Sequence, residues 1–127
     1  MLEIMLIVLI IISAGAILGG YVMKCKAPMD KEMKYGIRTS STQKSTAIWA
    51  YANRTCGKSW LITGIIYIIL GVPVILFMYH FKGEYLAEIL SLIYLISEVI
   101  ILASSVTAVL RDITNKFDEN GNQKEED

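Results

Sequence analysis

The sequence predicts an all-α integral membrane protein with three transmembrane helices and an amphipathic cytoplasmic helix between spans one and two. The first observation is composition: 54% of the 127 residues are hydrophobic and 19% are charged. The second is position, because residues 1–23 contain one charged residue and residues 60–110 contain four. A helix in a soluble protein needs a polar face, whereas about 20 consecutive apolar residues span a bilayer. These observations exclude a soluble globular enzyme.

Three apolar segments are long enough to cross the membrane. The first occupies residues 1–23, and we interpret it as a retained anchor because no basic stretch precedes it and no small-residue cleavage site follows it. The second and third, residues 60–81 and 85–110, form an antiparallel hairpin because a short turn separates them. Aromatic residues typical of the membrane interface lie near the segment ends. They are Tyr21, Trp60, Tyr79 and Tyr85.

The basic residues predict the orientation of the chain. Residues 24–59 carry eight lysines and arginines, whereas the turn at 82–84 carries only Lys82. Loops rich in Lys and Arg stay in the cytoplasm. We therefore expect a multi-pass protein of the bacterial cell membrane with its N-terminus outside and its C-terminus, the acidic tail 111–127, in the cytoplasm.

Catalytic, metal and cofactor motifs are missing from the sequence. It has no Ser/His/Asp set, no H-E-x-x-H and no phosphate-binding loop, so we expect neither enzymatic activity nor a cofactor. Cys25 and Cys56 belong to the segment predicted to be cytoplasmic, where reducing conditions disfavour a disulfide. The one histidine, His80, lies on the other side, so no zinc site is expected. Both cysteines are interpreted as inert thiols.

The second half of the 24–59 segment has helical character. Ser and Thr at 39–42 are typical N-cap residues, and residues 40–56 contain no Gly or Pro. Trp49, Asn53 and Gly57 recur at a spacing of four, which places them on one helix face. This pattern predicts an amphipathic helix that lies on the inner membrane surface and leads into the second span.

A motif in this segment resembles the signature of the SdpI family. These bacterial integral membrane proteins are best known for a member that gives immunity against a secreted sporulation-delay toxin. Their pattern is a G-x-R-T turn, a Ser/Thr-rich spacer, a tryptophan, an N-R or H-R pair, and a G-K pair that opens a membrane span. The matching residues are Gly36, Arg38, Thr39, Trp49, Asn53, Arg54, Gly57 and Lys58. One span before the motif and two after it extend the resemblance over most of the chain.

The chain departs from the family pattern at two places. Family members often have an Asn, commonly after a Pro, shortly before the turn, where this chain has Met33-Lys34-Tyr35. They also often have acidic residues just before the tryptophan, where this chain has Ser45-Thr46-Ala47-Ile48. The second departure removes an internal partner for Arg54 or Lys58.

The resemblance implies immunity to a secreted membrane-active peptide toxin or bacteriocin. It further implies signal transduction, in which the protein holds a transcriptional repressor at the membrane. The expected partners are then the lipid bilayer, a peptide toxin and a cytoplasmic repressor, with no direct nucleic-acid contact. Two hypotheses compete with this one. The protein is either a small accessory subunit of a membrane transporter or channel, with Glu98 in an ion path, or a purely structural membrane protein.

Each motif residue has more than one interpretation. Arg38 is either a guanidinium that binds a lipid phosphate or a peptide carboxylate, or a charge that sets the topology. Trp49 is either an interfacial anchor or a recognition residue. Asn53 and Arg54 can hydrogen-bond back to the turn at 36–39, which would make the motif a structural lock.

Glu98 lies near the centre of the third span. An ionisable group is costly there, so it should face protein or water. A spacing of alternating three and four residues places it on a polar stripe with Ser91 and Ser105, and Tyr94 lies one turn before it. Glu98 is either a proton, cation or toxin site, or a protonated carboxyl that hydrogen-bonds between helices and contributes about 1 kcal/mol.

Small residues recur along two of the spans. Gly57, Gly64 and Gly71 repeat every seven residues in the second span, which predicts a groove for close helix contact. Gly15 and Gly19 form a G-x-x-x-G motif in the first span. Such faces pack helices within one chain or form homo-oligomers, and the sequence leaves both open.

Overall fold

Three long helices make up the fold in a computed structural model of the protein. They are α1 (Leu2–Tyr21), α2 (Thr46–Phe81) and α3 (Glu84–Lys116). Within the described part of the chain, these three are long and apolar enough to cross a membrane. The predicted class, an all-α protein with three transmembrane helices, is confirmed. The structure describes residues 2–29, 32–33, 36–39 and 42–117.

The helical path of the first span continues beyond Tyr21. A π-helical turn, Val22–Lys26, is followed by a 3-10 turn, Ala27–Met29. Such turns have a different pitch from an α-helix and redirect the backbone groups at its end. As a result, the carbonyl of Ala27 becomes available to a side chain of α2.

A single helix, α2, contains both the segment predicted as a surface helix and the second span. It has 36 residues, and Ser45 begins it by accepting a hydrogen bond from the Ile48 N–H at 3.1 Å. At 1.5 Å per residue it is about 54 Å long, well beyond the roughly 30 Å of hydrocarbon. A separate amphipathic surface helix is therefore not shown. Residues 46–59 are instead the first turns of α2.

The first span and its extension pack into the predicted glycine groove of α2. Gly57, Gly64 and Gly71 are all buried. A Cβ at Gly57 would lie 2.5 Å from the Lys24 backbone nitrogen, and a Cβ at Gly64 would lie 2.9 Å from the Ser13 carbonyl oxygen. Backbone cannot move aside as a flexible side chain can, so these positions require glycine for this approach. The groove packs helices within one chain.

The glycines of α1 behave differently from the predicted G-x-x-x-G motif. Gly20 makes the close contact, since a Cβ there would lie 2.7 Å from the Gly57 carbonyl oxygen. A Cβ at Gly19 would lie 3.4 Å from the ring of Trp60, and a Cβ at Gly15 would have nothing within 4 Å. Gly15 and Gly19 therefore do not act together within the chain.

Two hydrophobic clusters hold the helices together, one toward each end. The cluster at the motif end joins the π-helical turn after α1 to α2 and α3, and the other lies toward the opposite end. The first contains Met23, Ile48, Ala52, Cys56, Val109, Ile113 and Phe117, and the second contains Met5, Leu9, Ile75 and Leu95. A short turn with Gly83 at φ +82° connects α2 to α3, and this left-handed conformation favours glycine.

Candidate functional site

The side chain of Asn53 joins the motif turn to α2. Its Oδ1 accepts a hydrogen bond from the Ile37 N–H at 2.7 Å, and its Nδ2 donates to the Trp49 carbonyl at 3.0 Å. Asn53 is fully buried. Both ends of the amide are therefore used, and the predicted contact between Asn53 and the turn is present.

Gly36 allows the turn to approach Asn53. Its φ of +110° is unfavourable for a residue with a side chain. A Cβ at this position would also clash with Asn53 Oδ1 and lie 3.2 Å from the Cβ of Ala27. The motif glycine is required for two independent reasons, conformation and space.

Trp49 connects α2 to the end of the first span. Its indole Nε1 donates to the Ala27 carbonyl at 2.6 Å, and the side chain is 1% exposed. A buried tryptophan with a satisfied N–H stabilises the structure through both area and hydrogen bonding. Trp49 contacts the chain's own backbone, so it lies neither at the lipid interface nor on an exposed recognition surface.

A pair of threonines holds the other end of the turn. The Thr39 N–H donates to Thr42 Oγ1 at 2.9 Å, and the Thr42 N–H donates to Thr39 Oγ1 at 3.1 Å. Thr42 Oγ1 also donates to the Ile37 carbonyl at 2.8 Å. Such local side-chain hydrogen bonds replace a regular backbone ladder. Arg38 therefore lies between two residues whose backbones are both held in place.

The basic members of the motif lie outside this network. Arg38, Arg54 and Lys58 are all exposed. Arg54 makes no hydrogen bond to the turn in the described residues, although the sequence suggested one. Trp49, Asn53 and Gly57, by contrast, are buried. The motif thus has an interior that determines its shape and a cationic surface that is available to a ligand.

Glu98 forms the second polar group of interest, within the membrane-spanning part. It is fully buried, and its Oε1 accepts a hydrogen bond from Ser13 Oγ of α1 at 2.9 Å. Its Oε2 has no hydrogen-bond partner among the described residues. A hydrogen bond between helices is what one of the two interpretations of Glu98 expects, and α1 supplies the partner.

Two tyrosines near Glu98 connect α2 to α3. Tyr94 Oη donates to the Tyr67 carbonyl at 2.9 Å, and Tyr67 Oη lies 2.8 Å from Ser97 Oγ. The ring centroids of Tyr67 and Tyr94 are 4.8 Å apart. Of the predicted polar stripe, Ser91 is buried with no partner for its hydroxyl in the described chain, and Ser105 bonds to the Ile101 carbonyl of its own helix. Glu98 and Tyr94 are therefore the candidates that link helices.

The comparison with protein families agrees with the motif. The chain matches the model of the SdpI/YfhL protein family over residues 30–110, which include the motif, all of α2 and most of α3. The chain belongs to the SdpI/YfhL protein family. Membership indicates a multi-pass membrane protein of the immunity type. No curated protein and no solved structure gives a match.

Two contributors to the sites of this SdpI-family protein were not singled out from the sequence, and a third, Thr42, was predicted only as a helix N-cap residue. Ser13 is the partner of Glu98, Thr42 completes the turn, and Ala27 accepts from Trp49. Ser13 had a visible signal, because it is a hydroxyl residue within an otherwise apolar stretch. Thr42 stands three residues after Thr39, a spacing typical of a side-chain turn. Ala27 acts through its backbone, which no side-chain pattern reveals.

The contacts of Asn53 give the first prediction. Asn53→Ala should lower the free energy of unfolding by about 1–3 kcal/mol, because it leaves the Ile37 N–H without its acceptor. Arg54→Ala is the matched control, and as an exposed substitution it should stay within about 0.5 kcal/mol of the parent. Thermal unfolding in detergent, followed by circular dichroism, measures both. Equal losses of unfolding free energy in the two variants would contradict a structural lock at Asn53.

The hydrogen bond between Ser13 and Glu98 gives the second prediction. A double-mutant cycle with Ser13→Ala and Glu98→Leu should show a coupling of about 0.6 kcal/mol in thermal stability, the usual size for such bonds in membrane proteins. Glu98→Gln keeps an acceptor for the serine, so the cycle with Gln in place of Leu should give almost no coupling. A coupling near zero with Leu would show that the bond contributes nothing.

Proposed function

We propose that this SdpI-family protein protects the cell that makes it against a secreted membrane-active peptide toxin or bacteriocin. Membership of the family over residues 30–110 is the first support. The observation that carries the proposal is the division of the motif. Its interior is built from internal hydrogen bonds, and this interior presents Arg38, Arg54 and Lys58 on the outside.

The geometry of Arg38 suits the binding of an anionic group. Hydrogen bonds hold the backbone on both sides of it, at Ile37 and at Thr39. A binding residue that is already ordered loses less conformational entropy when it binds. Guanidinium groups pair well with carboxylates and phosphates. The ligand chemistry that fits is therefore an anionic peptide group or a phosphate at the membrane surface.

A cytoplasmic transcriptional repressor is the second partner in this proposal. The cationic surface belongs to the basic segment, which the distribution of Lys and Arg assigns to the cytoplasm. A repressor held there would be kept from DNA without direct contact between this protein and nucleic acid. The N-terminus would be outside and the C-terminus inside.

The transporter alternative depends on a single feature of the structure. Glu98 Oε2 is buried and has no partner among the described residues, so it is open to a proton or a cation. Ser13 already accounts for the other oxygen. In the protection assay described below, Glu98→Gln should keep protection and Glu98→Leu should reduce it. A well-expressed but inactive Gln variant would favour the ion-path hypothesis instead.

Orientation gives the third prediction. Cys25 is exposed and Cys56 is buried, so the native chain already carries a thiol reporter on the basic side. A membrane-impermeant maleimide should leave the parent unlabelled in intact cells, and should label Lys82→Cys at the opposite end. Lys82 is chosen over Gly83, whose positive φ disfavours a side chain. Labelling of the parent in intact cells would reverse the topology.

Protection itself gives the fourth prediction. Expression in a toxin-sensitive bacterium should raise the toxin concentration needed to stop growth, for a panel of secreted peptide toxins. A variant with Arg38, Arg54 and Lys58 all changed to Gln should lose protection while its expression, checked by blot, stays normal. The matched control changes three exposed cations that are not among the matching residues of the motif to Gln. They are Lys44, Lys82 and Arg111.

The control decides where protection arises. If it loses protection and the motif variant keeps it, the cationic motif is not the working surface. If the parent protects against no toxin in the panel, the immunity proposal lacks support even though the family assignment stands.

A further inference from the structure

An apolar groove opens beside the motif turn. Its volume is about 560 Å³, within the range of roughly 300–1,000 Å³ typical of ligand pockets. All three helices and the turn contribute to it. The residues that line it are Leu18, Gly19, Val22, Met23, Gly36, Ile37, Trp60 and Val106.

The ring of Trp60 forms one wall of the groove and is held in a fixed position. Its indole Nε1 donates to the Leu102 carbonyl of α3 at 3.1 Å, which holds the ring in place. Gly19 has no side chain, so the ring remains open on that side, and a Cβ there would contact it at 3.4 Å. Leu18 at the edge is 66% exposed, which opens the groove toward the hydrocarbon of the membrane.

Two cationic residues adjoin lining residues of the groove along the chain. Arg38 directly follows Ile37, and Lys24 directly follows Met23. Both cations are exposed, and none of the described residues that line the groove is acidic. An apolar groove with exposed cations next to its lining residues matches the chemistry of a phospholipid, which joins acyl chains to an anionic phosphate.

We propose that this groove binds one anionic phospholipid, with an acyl chain against Trp60 and the phosphate at Arg38. Basic pockets between transmembrane helices on the cytoplasmic side are typical sites for anionic headgroups. The occupant is a membrane lipid because Leu18 and Val22 belong to the first span, so the groove is filled from the bilayer. Lipid binding shares Arg38 with the proposed function, but it requires no toxin, so the purified protein tests it separately from immunity.

Tryptophan fluorescence in vesicles tests the proposal directly. The protein is reconstituted into phosphatidylcholine vesicles with increasing fractions of phosphatidylglycerol brominated on its acyl chains, because bromine quenches a tryptophan that it contacts. Trp60 should be quenched well beyond the mole fraction of brominated lipid. Brominated phosphatidylcholine at the same fraction should quench only in proportion. The excess should disappear in Trp60→Phe, since the other tryptophan, Trp49, is buried within the chain.

Two matched pairs of variants separate the groove from its surroundings. Gly19→Leu fills the groove and should remove the excess quenching, whereas Gly15→Leu, with open space around it, should keep it. Arg38→Gln should weaken the preference for phosphatidylglycerol about fivefold, equivalent to about 1 kcal/mol. Lys82→Gln removes one cation at the opposite end of the protein and should leave the preference unchanged. Helical content by circular dichroism confirms that each variant folds.

Three outcomes would overturn the proposal. Quenching in proportion to mole fraction for both lipids would mean that the groove holds only ordinary boundary lipid. A tryptophan protected from both brominated lipids would mean that a peptide or a second copy of the chain occupies the groove. An equal loss of the preference for phosphatidylglycerol in Arg38→Gln and Lys82→Gln would mean that overall charge, and not Arg38 beside the groove, selects the lipid.

Discussion

Between Gly20 and Gly57 the backbones of α1 and α2 come so close that a Cβ on either residue would lie within 2.7 Å of a backbone atom of the other helix. Gly64 continues this contact at the Ser13 carbonyl, and Gly71 makes room for the side chains of Leu9 and Tyr94. In a bilayer the hydrophobic effect does not drive helices together, so close contact and hydrogen bonds must do so. Because the helices meet at Gly57, the extension of α1 ends beside Trp49, and the motif turn can close over Asn53.

Polar groups inside the bundle also hold the helices together. Hydrogen bonds between helices join Ser13 to Glu98 and Tyr67 to Ser97. Another joins the indole N–H of Trp60 to the backbone of α3. An unpaired polar group in hydrocarbon is costly, so each pair favours one arrangement of the helices. Glu98 is the exception in part, because only one of its two oxygens has a partner among the described residues. The other oxygen, Oε2, can carry a proton.

The motif divides into buried residues that hold its structure and exposed cations. Trp49, Asn53 and Gly57 are interior, whereas Arg38, Arg54 and Lys58 are exposed. The same turn that orders Arg38 also contributes Gly36 and Ile37 to the apolar groove. Cationic charge and an apolar surface therefore meet at one place near the predicted cytoplasmic face. This combination suits a lipid, and it also suits a partner that acts at the membrane surface.

The sequence by itself determined the three spans, the motif, the glycine groove and the intramembrane position of Glu98. Hydropathy and residue spacing are local properties, so a single chain segment is enough to show them. Only the tertiary structure decided that residues 46–59 continue into the second span, that Gly20 rather than Gly15 contacts α2, and that Ser13 and Ala27 are the partners of Glu98 and Trp49. These facts depend on the relative rotation and depth of packed helices, which no local pattern records.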